Sequence, residues 1–205
     1  DGSTRTQHRL SQEEIDAAIA LTPQQVQDDI KEAQSNIRRF ALAQRATMTD
    51  LEYKDPEQPG VTLGHKHIPI SRVGCYIPGG RFPIIAAACM QVVTARAAGC
   101  PSVIACTPGR ADCNGDPHPY VITAMHFAGA DEIYAVGGVQ AVGMMAHGTE
   151  SCAAVDMMSG PGNAFVAEAK RQLYGKIGID LFAGPTETLI MCDDSISTEL
   201  AVTDI

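Results

Sequence analysis

No stretch of this sequence is apolar for long enough to cross a bilayer, and its opening residues show no signal-peptide pattern. Nor is there a basic stripe: 15 Lys and Arg stand against 24 Asp and Glu, a formal net charge of −9. Such a chain has no run of cations to displace counterions from a phosphate backbone, which excludes DNA and RNA as expected partners. The cysteines (75, 89, 100, 106, 113, 152 and 192) include no C-x-x-C pair and no disulfide-rich spacing. Their apolar settings predict reduced, mostly buried thiols in a cytosolic, cytoplasmic protein. Cys75, beside a Tyr-Ile-Pro-Gly-Gly turn, is the one thiol placed as a reactive candidate. His118, His126 and His147 lack the H-x-x-x-H or H-E-x-x-H spacing of a helical metal site and read as surface or core-edge histidines.

What is present is an ordinary globular composition over 205 residues, with 45% hydrophobic and 19% charged side chains. Ser11-Gln-Glu-Glu14 reads as a capping box opening a short helix, and Thr22-Pro-Gln-Gln25 opens a longer one with proline at its first position. An apolar stripe through Val26, Ile30, Ala33, Ile37, Phe40 and Gln44 predicts one packed face that ends at Phe40. Residues 47–64, with Pro56, Pro59, Gly60 and Gly64, read as a connecting loop or irregular strand.

From Arg72 the texture changes. Short apolar runs at 72–77, 102–107, 131–136, 155–158 and 179–182 alternate with helix-patterned segments at 83–98, 118–129, 139–148 and 163–174. Runs of this kind suit strands covered on both faces, and the alternation implies βαβ units and a parallel sheet. The expected fold class is therefore α/β, with a Rossmann-like domain. Glycine turns at 79–80, 137–138 and 160–162 all fall at carboxyl ends of these strands, where such sheets bind ligands. The turn in Ser159-Gly-Pro-Gly-Asn163 joins a strand to a helix, with Asn163 at the N-cap. Gly160 and Gly162 allow close approach of a ligand to backbone amides at the positive end of a helix dipole. No third glycine completes G-x-G-x-x-G, so the spacing alone leaves an anion site and a plain tight turn both open.

Four motifs go further. Val73-Gly-Cys-Tyr-Ile-Pro-Gly-Gly, Val136-Gly-Gly-Val-Gln-Ala, Gly160-Pro-Gly-Asn-Ala-Phe-Val-Ala-Glu-Ala-Lys-Arg and Ala183-Gly-Pro-Thr-Glu together resemble the signature of the histidinol dehydrogenase family, over residues from about Leu10 onward. The resemblance implies NAD as cofactor, contacted by Tyr76, Gln140 and Asn163 with the Gly160 and Gly162 turn. It implies substrate contact at Thr186, where family members usually carry serine. It also implies a four-electron oxidation of a primary alcohol to a carboxylate, zinc dependence and an intertwined homodimer. The family's Rossmann-like domain is inserted within another α/β domain. Residues 71–185 are then the inserted NAD-binding domain, and 1–70 and 186–205 are parts of an incomplete second one, with a strand at 188–192 and a helix at 197–205. Beginning at Asp1 and ending at Ile205, the sequence reads as a fragment. The family's zinc ligands and catalytic Glu-His pair are expected C-terminal to it, so no catalytic residue or metal ligand is placed within 1–205 and the fragment alone is expected to be inactive. The rival reading is a non-catalytic nucleotide-binding or dimerisation piece. Gly64-His65-Lys66-His67 offers basic donors to an anionic group. Together with Gly-Pro-Thr-Glu it looks closer to the branch of the family that oxidises sulfopropanediol than to the enzymes that oxidise histidinol.

Overall fold

In the computed structural model the described residues are 5–80, 82–182, 189–193 and 195–203. Two helices come first. α1 (Gln12–Leu21) opens with the capping box as predicted: Ser11 Oγ accepts from the Glu14 N–H, and the Glu14 carboxylate accepts from the Ser11 N–H. α2 (Gln24–Ala46) begins one residue later than expected, with Pro23 at the N-cap rather than at the first helical position. Thr22 is drawn inward instead of capping α2, its hydroxyl 2.9 Å from both the Ala18 carbonyl and the Thr123 hydroxyl.

The packed stripe of α2 also differs from the sequence expectation. Ile30, Gln34 and Ala41 are its buried residues, while Phe40 is 68% exposed. A polar residue takes the inner position because Gln34 Nε2 donates to the Ala124 carbonyl at 2.9 Å, which satisfies the amide inside the core. Residues 47–64 are not simply a loop. β1 (Leu51–Lys54) and β2 (Thr62–His65) pair antiparallel, Leu51 opposite His65 and Lys54 opposite Thr62, and every residue of both strands is exposed.

The main sheet is parallel and five-stranded, in the order β5-β4-β3-β6-β7, with β3 at Arg72–Tyr76, β4 at Ser102–Thr107, β5 at Glu132–Ala135, β6 at Met157–Ser159 and β7 at Gly178–Ile179. Its connecting helices are α3 (Ile85–Ala97), α4 (Pro119–Ala128), α5 (Gly138–His147) and α6 (Ala164–Leu173). Strands and helices fall close to where the alternation predicts them, with two differences. β6 starts at Met157 because Asp156 is exposed, its carboxylate accepting the Arg72 N–H. The strand expected at 179–182 is only Gly178–Ile179, since the Asp180 carboxylate turns to the Gly160 N–H. Among the described residues 189–192 carry no strand where one was expected. α7 (Thr198–Thr203) lies within the helix placed at 197–205.

Strand order explains the two cores. The chain steps outward from β3 through β4 to β5, then returns to the other side of β3 for β6 and β7. With crossovers of one hand, this reversal moves the helices to the opposite face. One core accordingly gathers residues of α1–α4 against Val73, Cys75, Val103 and Ile133, and the other gathers α5 and α6 against Tyr76, Ile104, Cys106 and Met158. Val92, Val93 and Val103 have no exposed surface, and full burial of each stabilises by roughly 1.5–3 kcal/mol. Cys75 sits in this interior. Burial pushes its thiol up to about 12, so it carries no thiolate at neutral pH and the reactive role is withdrawn.

Candidate nucleotide-binding site

The sheet order reverses between β3 and β6, and ligands of open α/β sheets bind outside the carboxyl ends of the strands at such a point. A cleft of about 860 Å³ lies there. Its walls bring together Tyr76, Pro78, Gly79 and Gly80 after β3, Gly137, Gly138 and Gln140 at the start of α5, and Gly162 with Asn163 before α6. Three nucleotide contacts expected from separate parts of the sequence thus share one cavity.

Each wall supplies donors. Asn163 caps α6, its side-chain oxygen 3.1 Å from the N–H groups of both Phe165 and Val166. The cap uses only the oxygen of Asn163, so its Nδ2 donor stays available to a ligand, and the helix itself does not use the amides of its first turn. α5 and α3 begin at Gly137 and Ile84 without any side-chain cap. The Ile85 N–H donates to the Pro83 carbonyl and the Gly138 N–H to the Tyr76 hydroxyl, while the helices themselves leave the other first-turn amides unused and their dipoles favour negative charge. Tyr76, expected to contact NAD, is held in the packing at the end of β3. It is 5% exposed, and its hydroxyl accepts the Gly138 N–H at 3.0 Å, fixing where α5 starts. Burial raises its pKa, opposed in part by that hydrogen bond, so it remains a neutral phenol. The aromatic ring that stands open in the cleft is Phe82, 73% exposed.

The elbow after β6 is held by a pair that sequence reading passed over. Lys170 Nζ donates to the Gly160 carbonyl at 2.9 Å and forms an ion pair with Asp180, whose other oxygen accepts the Gly160 N–H at 2.8 Å. Both backbone groups of one glycine are therefore gripped by one Lys–Asp pair. Burial works against the Asp180 carboxylate, yet its hydrogen bonds with Lys170 and the Gly160 amide outweigh that and hold its pKa below the ordinary aspartate value. Gly160 has φ +136, and a Cβ there would sit 2.1 Å from the Tyr76 carbonyl oxygen. A Cβ at Gly162 would meet Val166 Cγ1 at 2.4 Å. Gly160 is thus required by close backbone approach, and Gly162 by the Val166 side chain packed against it. The i, i+10 relation of Lys170 and Asp180, with Asp180 beyond the next strand, is a tertiary pairing that no periodicity reveals.

Other expected site residues lie elsewhere. His65 and Lys66 bound a separate depression on the hairpin with Asp50 and Glu52, and His67 lines a groove beside the C-terminal end of α2. The His65 and His67 rings meet edge to face at 5.1 Å, His65 Nε2 lies 3.2 Å from the Thr49 carbonyl, and the His67 amide donates to Asp50. None of the three lines the cleft. Thr186 falls outside the described residues. Among the described residues no cluster of three or more His, Cys, Asp or Glu side chains could hold a metal ion.

A parallel five-stranded sheet whose order reverses at a glycine elbow defines a Rossmann-like α/β unit. The histidinol dehydrogenase family pattern matches residues 1–205, and the chain belongs to that family. It is 57% identical over 97% of its length to a histidinol dehydrogenase homolog from Shouchella clausii, covering 46% of that protein. It is 47% identical over 96% of its length to a sulfopropanediol 3-dehydrogenase from Ruegeria pomeroyi, covering 44% of it. The crystal structure of histidinol dehydrogenase from Elizabethkingia anophelis superposes with a TM-score of 0.85 at 34% identity, over 100% of this chain and 46% of that one. The chain thus spans less than half the length of the relatives it matches.

Proposed function

We propose that this chain is the NAD-binding part of an alcohol dehydrogenase that oxidises a primary alcohol through the aldehyde to the carboxylate, using two NAD and one water. The observation that carries this reading is the convergence of Tyr76, Gln140 and Asn163 on one cleft at the strand-order reversal. NAD supplies the hydride acceptor when bound. The residues of this chain bind and orient it: the Gly162 and Asn163 amides of the elbow and the Val139 and Gln140 amides of the first turn of α5 receive the pyrophosphate, and Phe82 offers a face to a base. Gln140, exposed at the α5 start, contributes an amide toward the ribose. Tyr76 acts by holding Gly138 in place. Zinc does not fit the described residues, and its ligands, like the acid–base pair, belong in this reading to the rest of the whole protein.

A second copy of the chain is the partner we infer. Phe40, Leu42, Leu51, Tyr53 and Leu63 on α2 and the hairpin are each more than two-fifths exposed, an apolar surface of the kind that marks an interface.

Asn163→Ala in the whole protein is expected to weaken NAD binding by about ten- to hundredfold, since a hydrogen bond to a charged group contributes roughly 1.5–3 kcal/mol. Loss of the cap alone should cost only about 1 kcal/mol of stability. Calorimetric titration with an unchanged Kd would remove the residue from the site.

For the substrate we propose sulfopropanediol in preference to L-histidinol. The 47% identical relative that carries the sulfopropanediol name and the His65-Lys66-His67 cluster both favour an anionic alcohol. Because the cluster lies off the cleft, it would have to meet the substrate across surfaces contributed by the remaining chain or the second copy. Lys66→Ala should raise KM for sulfopropanediol about tenfold or more while sparing NAD affinity. Wild-type preference for histidinol, or an unaffected variant, would return the patch to the role of a solvated loop.

A further inference from the structure

The loop after β4 holds the only guanidinium bonded to a residue of the cleft wall among the described residues. Arg110 Nη1 donates to the carbonyl of Gly79 at 3.0 Å, linking the β4 loop to the glycine turn after β3. Its other edge is a fork around Asp112, with Nε 2.8 Å from Oδ1 and Nη2 2.6 Å from Oδ2. The loop is stiff enough to fix this arrangement. The Arg110 N–H donates to the Asp116 carbonyl at 2.9 Å, the Gly115 N–H donates back to the Arg110 carbonyl at 2.8 Å, and Asn114 adopts φ +54. The Asp112 carboxylate itself keeps 60% of its side-chain surface.

Position gives this pair a meaning. β3 and β4 are the first and second strands of the Rossmann order, and the end of the second strand is where such folds meet the ribose 2′ position. An acidic group there suits the free hydroxyl of NAD, and an unpaired arginine suits the 2′-phosphate of NADP. Reading the strand alone finds no acidic residue at its end. The folded loop brings Asp112 back from five positions beyond Thr107 and sets it on the arginine that would otherwise take a phosphate.

We infer that Asp112 is a specificity-determining residue that excludes dinucleotides bearing a 2′-phosphate, both by occupying the fork of Arg110 and by presenting a like charge. The inference rests on the reading that the cleft binds NAD. Arg110 is in the same scheme a positioning residue for Gly79. The hydrogen bond with Arg110 holds the Asp112 pKa below its ordinary value, so the carboxylate is charged throughout the neutral range. Cys113 and His118 are the other titratable groups near the pair: burial and Asp112 raise the Cys113 thiol pKa, and burial and Arg110 lower that of His118, which leaves both uncharged just above pH 7.

The test is calorimetric titration of NAD and NADP into the whole protein. Wild type should bind NAD with strong preference. Asp112→Ala, which frees the arginine fork, should raise the ratio of NADP to NAD affinity at least about tenfold, since a charge-assisted pair forms and a like-charge repulsion disappears. Adding Arg110→Met to Asp112→Ala should cancel that gain, an outcome that a merely structural role for the loop would not produce. Asp112→Asn serves as the milder variant should the alanine protein fold poorly. An unchanged ratio in both single variants, or a gain that survives loss of Arg110, overturns the inference while leaving the NAD reading intact. Absence of binding of either dinucleotide to wild type would overturn the nucleotide reading and this inference with it.

Discussion

Asp180→Asn should lower the stability of the fold by about 3 kcal/mol and bring its melting transition down by several degrees. The variant strands the Lys170 ammonium, whose side chain is 5% exposed, without its counter-charge. Removing one partner of a buried ion pair costs about 3–5 kcal/mol, and the 27% exposure of Asp180 places this case at the lower end. The order of the two single variants matters. Lys170→Met leaves a carboxylate that still reaches water, so it should cost less than Asp180→Asn.

pH provides a second axis. The folded-state pKa of Asp180 is depressed, so its contribution is fully present above the ordinary aspartate value of about 3.9 and is lost as pH falls through the folded value. Wild type should therefore show an acid-limb loss of stability that Asp180→Asn lacks, with no difference in slope near neutrality. Identical acid limbs measured by urea unfolding across pH 2–7 would contradict the clamp.

The second large effect is expected at Gly160. Alanine there must adopt φ +136 and place its Cβ 2.1 Å from the Tyr76 carbonyl oxygen and 2.9 Å from Gln91 Oε1. Neither obstacle yields cheaply, since one is the backbone of a central strand and the other belongs to an amide bonded to that same carbonyl at 3.0 Å. Backbone strain and overpacking together amount to roughly 2–6 kcal/mol. The elbow can relieve them only by moving away from β3, which misdirects the amides of residues 162–164. Gly160→Ala should thus lose NAD affinity by more than a hundredfold even at temperatures where it remains folded, whereas a purely structural glycine would lose stability alone.

Much of this arrangement is legible in the chain. Val103, Ile104, Ala105 and Cys106 announce a strand covered on both faces because nothing polar interrupts them, and glycines after such runs mark the turns that line the cleft. Local signals of this kind depend on neighbours a few residues away, so the sequence displays them directly. The hairpin at 51–65 was obscured because Pro56, Pro59 and Gly60 are turn residues whatever flanks them, and its strands bury nothing that would impose alternation. Gln34 appears polar in a list of residues and is a core residue only because α4 offers it the Ala124 carbonyl. The Lys170–Asp180 grip and the Arg110 bridge to Gly79 join residues 10 and 31 positions apart. Such pairings are set by the topology of the sheet. Tyr76 shows the same limit from the other side: its presence at the site is readable, but the burial of its ring and the bond from Gly138 are consequences of packing.

The central claim is that the reversal between β3 and β6 receives the dinucleotide. A crystal structure of the whole protein with NAD tests it most directly. The pyrophosphate should lie within hydrogen-bond reach of the Gly160–Asn163 elbow, with one ribose toward Gln140 and Pro108. Dinucleotide density outside the cleft formed by Gly79, Gly138 and Asn163 would contradict it.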